Sequence, residues 1–64
     1  MSGDEDQEGT IMEYLRIGNS VKVTAIDIAT MREVSIVGSS RATKKELTDV
    51  AIQKLRYVMG RDSN

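Results

Sequence analysis

The chain has 64 residues, contains neither Cys nor His, and carries ten acidic against nine basic residues. That length allows one domain, and a domain of this size buries only about 60% of its unfolded surface, so it is marginal without disulfides, metal or oligomerisation. The missing residue types exclude disulfides, Cys/His zinc sites, haem held by His and any catalytic centre built on His or Cys, which leaves association between copies as the available remedy.

Residues 1–10 carry Asp4, Glu5, Asp6 and Glu8 and no base, which leaves six acidic and nine basic residues for the rest of the chain. An acidic tail on a mildly basic body is a charge asymmetry. With Gly3 and Gly9 and no apolar residue after Met1, the tail reads as solvated and disordered. There is no charged-then-apolar leader and no apolar run approaching about 18 residues, so the expectation is a soluble cytoplasmic protein with no membrane segment.

Ile11 to Ile17 is expected as the first strand, with Ile11, Leu15 and Ile17 on the buried face and Met12, Tyr14 and Arg16 on the other. Gly18-Asn19 then separates two strand-like runs by two residues, a hairpin signal in which Gly supplies the positive φ of a type II′ turn. Ser20 to Asp27 is the second strand, with Val21, Val23 and Ala25 pointing to the core. Ile28 to Arg32 connects it to the third, and Asp27 is placed to bond the backbone of that turn. Glu33 to Val37 is the third strand, burying Val34 and Ile36, and residues 38–42 lead into a helix.

Thr43 to Met59 is the only long helical pattern. Thr43 with Glu46 three positions on is a capping box. Leu47, Val50, Ala51, Leu55 and Val58 form an apolar stripe, and Gly60 stands where a left-handed C-cap would. Ile52 and Met59 overflow one edge of that stripe and Tyr57 the other, a wider apolar arc than packing on one sheet needs. Lys54 falls near the stripe's centre, where it must snorkel, pair with a carboxylate or face a cleft; Glu13 is the attractive carboxylate partner. The order predicts an α+β fold: a three-stranded antiparallel meander with one C-terminal helix on one face, βββα, over residues 11–59, and a disordered end at 60–64.

The runs Ile17-Gly18-Asn19, Val21-Lys22-Val23, Ala25-Ile26-Asp27, Glu33-Val34-Ser35-Ile36 and Lys54-Leu55-Arg56-Tyr57-Val58 resemble a family of very short alphaproteobacterial proteins classed as a domain of unknown function. The resemblance covers about residues 14–59 and implies no activity. Its members tend to carry Pro at the position of Ile28 and Gly at that of Met31, so the turn geometry here is open. Gly38 to Leu55, with Thr43-Lys44-Lys45 opening a helix after three strands, is also similar to the last half of a double-stranded-RNA-binding domain, whose basic helix start grips phosphates. That likeness carries over only to Lys44 and Lys45. The family's first helix and His-bearing loop have no counterpart.

Arg41, Lys44 and Lys45 are the candidate anion or nucleic-acid site, because two lysines in a first turn oppose the helix dipole and free N–H groups there favour anions. Arg32 and Arg56 would extend it. The carboxylates form no catalytic spacing, no glycine-rich nucleotide fingerprint is present, and no metal or cofactor is expected. The leading expectation is a non-catalytic homodimeric interaction module. Its contact would use the helix overflow (Ile52, Tyr57, Met59), the second sheet face with Met12 and Tyr14, or an edge strand. Weak nucleic-acid or anion binding is the alternative.

Overall fold

A computed structural model describes the backbone of residues 5–6 and 9–62 and the side chains of residues 9–61. Its elements are β1 (Glu5–Asp6), β2 (Thr10–Ile17), β3 (Ser20–Asp27), β4 (Arg32–Ser39) and α1 (Lys44–Asp62). The meander and C-terminal helix are as the sequence order implies. A two-residue strand, β1, is added antiparallel to the outer edge of β2, giving the order β1-β2-β3-β4. Of the tail expected to be disordered, residues 1–4 and 7–8 lie outside the described residues, as do residues 63–64 at the other end.

The hairpin between β2 and β3 closes as expected. Gly18 takes φ 60° while Asn19 keeps a negative φ, the type II′ combination. A two-residue turn fixes the register from Ile17↔Ser20 outward, so Tyr14 pairs with Val23 and Met12 with Ala25. Cross-strand partners share a face. Val23 and Ala25 are fully buried under the helix, and Met12 and Tyr14 lie beside them. The facing expected for β2 is therefore reversed: Met12 is at 0% exposure and belongs to the core, while Leu15 and Ile17 point away from the helix. Neither Met12 nor Tyr14 is part of the open sheet face.

The β3–β4 connection bends at Met31, which has φ 62° although it carries a side chain. Asp27 organises the turn. Its carboxylate accepts from the Thr30 N–H at 3.1 Å and the Thr30 hydroxyl at 2.8 Å, and its carbonyl accepts from the Met31 N–H at 2.7 Å. The Ile28 N–H donates to the Gly9 carbonyl at 2.9 Å, a bond that a Pro at this position could not make. The Ser40 N–H donates to the Asn19 carbonyl at 2.9 Å and ties the approach to the helix onto the first hairpin.

The helix starts as its capping box implies. The Glu46 N–H donates to the Thr43 hydroxyl at 3.1 Å, and the Thr43 N–H donates to the Glu46 carboxylate at 2.9 Å. It does not stop at Gly60, which lacks a left-handed φ and lies inside a helix that continues to Asp62. Leu47, Ala51 and Leu55 fill the core with Met12, Val23, Ala25 and Val34. Val50, expected in the stripe, is half exposed. Ile52 and Met59, expected on the outer surface, are partly buried and packed against the core. Gly38 lies under the Leu47 side chain, whose terminal methyl would have to shift to admit a Cβ there.

Candidate functional site

Three places were marked out by residue chemistry: the basic helix start, Lys54, and the surface for a second copy. At the helix start, Arg41, Lys44 and Lys45 are all exposed. Lys45 donates to Asp49 at 2.9 Å, one turn on, in an ion pair whose side chains are both mostly in solvent; such pairs contribute little. Lys44 stands 4.7 Å from the centroid of the Tyr14 ring, a cation–π contact across the junction of helix and sheet. The Arg41 N–H donates to the Ser39 hydroxyl at 3.0 Å. The three cations therefore do not converge on one point: Lys44 folds back over β2 and Lys45 turns along the helix.

Beneath Lys44 is a mainly apolar hollow of about 260 Å³ lined by Tyr14, Val21, Ala42, Lys44 and Leu47. Ligand pockets for drug-sized molecules start at roughly 300 Å³. The Tyr14 and Thr48 hydroxyls share a hydrogen bond of 2.5 Å. Tyr14 thus has a structural role as a bridge between β2 and α1. Among the described residues no group of three or more His, Cys, Asp or Glu side chains is placed to hold a metal ion, and no helix is long and apolar enough to cross a membrane.

Lys54 has a clear partner, and it is not Glu13. Its ammonium donates to the Ser35 carbonyl at 2.8 Å. Glu13 pairs with Thr24 on the opposite face of the sheet, out of reach. Ser35 belongs to β4, the edge strand, and the hairpin register turns its carbonyl outward. Lysine on an edge is a known device against strand addition by another chain; here the side chain also occupies one of the acceptors such an addition would need.

The sheet face away from the helix is where apolar surface remains. Leu15 is 57% exposed, Ile17 59% and Val37 69%, with Ile11 and Ile26 half-buried beside them. Thr24 and Ser35 share a hydroxyl–hydroxyl bond of 2.9 Å at the centre of this face. Among the described side chains, the charges on it are Glu13, Lys22 and Glu33, and none of these side chains makes an ion pair or hydrogen bond among the described residues. On the helix, exposed apolar surface is limited to Val50 and Tyr57, and the Arg61 guanidinium lies 5.7 Å from the Tyr57 ring centroid.

A model of the family described as a domain of unknown function (DUF6898) matches residues 7–62 of the chain. The chain belongs to this family. The match spans every β-strand from β2 onward and the whole of α1, so the DUF6898 unit in this chain is the meander and its helix. Comparison with characterised proteins and with solved structures returns no match.

The open face has a signal in the sequence. The turn at Gly18-Asn19 already implied Met12↔Ala25 and Tyr14↔Val23, and those partners fix the face of β2. Counting apolar residues strand by strand hid this, because both faces of β2 carry them.

Proposed function

We propose that this DUF6898 chain is a non-catalytic protein-interaction module that works as a homodimer, with the open sheet face as its contact. The observation that carries this reading is the cluster of Leu15, Ile17 and Val37, each more than half exposed on one side of the sheet. Among the described residues seven buried side chains make up the core, a small store of apolar burial for a domain of this length. Covering the open face adds to it at about 25 cal/mol per Å² of apolar surface removed from water. The other two surfaces are less suited. The edge of β4 is guarded by Lys54, and the helix overflow is largely turned inward at Ile52 and Met59. The absence of His and Cys supports a module without catalysis. Binding of an anion or nucleic acid finds less support, since Lys44 and Lys45 are directed to Tyr14 and Asp49.

Sedimentation equilibrium from micromolar to several hundred micromolar concentration tests this. The wild-type chain is expected to self-associate, and Leu15→Asp, which places a carboxylate in the centre of the contact, is expected to leave it folded and monomeric. A wild-type chain that stays monomeric across that range overturns the proposal.

A further inference from the structure

We infer that two copies stack their open sheet faces with the strands antiparallel, so that Lys22 of each copy meets Glu13 of the other. This rests on the homodimer reading above and specifies its geometry. The register orders the open face into four rows across β2, β3 and β4: Ile11, Ile26 and Glu33; Glu13, Thr24 and Ser35; Leu15, Lys22 and Val37; Ile17, Ser20 and Ser39. Successive rows are about 7 Å apart, and packed sheets are separated by about 10 Å.

A closed homodimer needs a two-fold axis, and the contact must be self-complementary. Two simple placements exist for a face of this shape. An axis along the strands lays each row on the same row of the second copy. Lys22, in the middle strand, then faces Lys22, and no acid of either copy shares that row. An axis across the strands, through the middle of the face, reverses the order of rows. Each strand then lies over its own counterpart and the Glu13 row covers the Lys22 row, twice over. This leaves Glu13 one strand, about 4.8 Å, across from Lys22 of the second copy and within reach of its long side chain, while Ile11 faces Ile17 of the second copy. Only the second placement brings opposite charges together, and like charges opposed across an interface are strongly disfavoured. Both groups are available, since neither the Glu13 nor the Lys22 side chain has an ion-pair or hydrogen-bond partner among the described residues. The stem of Lys22 lies between Leu15 and Val37 and can stay in apolar contact while its ammonium reaches across.

Strand spacings give the face a flat extent of about 400 Å², roughly half the area per partner of a standard stable complex. A contact of this size belongs with weak or transient complexes, which sets the concentrations above.

The test is charge reversal. Lys22→Glu gives a chain with acids at both positions, and Glu13→Lys gives one with bases at both. Each variant alone, with its fold verified by circular dichroism, is expected to self-associate about tenfold or more weakly than wild type. An equimolar mixture is expected to regain wild-type association as a heterodimer. Should either reversal unfold the chain, Glu13→Gln and Lys22→Met replace the pair, and a non-additive loss in the double variant is the equivalent result. Unchanged association of the single variants, no recovery on mixing, or additive losses would overturn the antiparallel stack. If Leu15→Asp still gives monomers in that case, the sheet-face homodimer stands and only its orientation falls. A monomeric wild-type chain overturns both.

Discussion

Met31 holds a backbone conformation that a side chain makes costly. Its φ of 62° lies in the left-handed region, where a residue with a Cβ is penalised by roughly 1–2 kcal/mol, and its side chain is 71% exposed and contributes little packing. Met31→Gly should therefore raise stability by about 0.5–1 kcal/mol after the extra unfolded-state entropy of Gly is subtracted. Thermal unfolding would show this as a midpoint higher by a few degrees; a lower midpoint would mean that the Asp27 bonds, and not backbone strain, set the energy of this turn. The departure from Gly at this position was legible through the family resemblance. The bonding of this turn was not, because the bonds from Asp27 to Thr30 and Met31 depend on the loop's full path. Lys54 is a similar case. Its place in the apolar stripe was readable, but its partner is a backbone carbonyl of another element, and a carbonyl leaves no signature in side-chain pattern.

Elements differ in how much of their placement is local. The start of α1 is fully local: Thr43 and Glu46 exchange both bonds of the capping box across three residues, and both were legible. Thr43→Ala is expected to destabilise the chain by about 1 kcal/mol, and Thr43→Ser by much less. Denaturant titration checks this, and equal losses for the two variants would show that the hydroxyl is not the group that matters. The end of α1 is less local. Gly60 suits a left-handed cap, yet the chain continues as helix to Asp62. The strand faces depend on a longer step. The buried face of β3 was readable from Val21, Val23 and Ala25 alone, but β2 carries apolar residues on both faces and takes its orientation from its neighbour through the Gly18-Asn19 turn.

At the scale of the molecule, the order of elements was legible because each connection is short and each strand pairs with the next. The candidate surface was not, since reversing one strand exchanges the residues assigned to the core and to the outside. Met12 and Tyr14 moved inward, and Leu15 and Ile17 moved out. The bond between Tyr14 and Thr48 has a further consequence, for the order of events as the chain folds. It spans 34 residues, whereas the hairpins that flank β3 close across two and four. Closing a long loop before contacts reward it is unfavourable, so the docking of the helix against β2 belongs after the transition state, when the meander is already paired. Removing the hydroxyl with Tyr14→Phe leaves a buried Thr48 oxygen without its partner and should cost about 1–2 kcal/mol. Stopped-flow kinetics should place that loss in faster unfolding, with the refolding rate nearly unchanged; refolding that slows in proportion would put the helix in the nucleus instead. Under that order of events, early species present an assembled sheet before the helix has covered it, and both faces of the meander are then open to other chains at once.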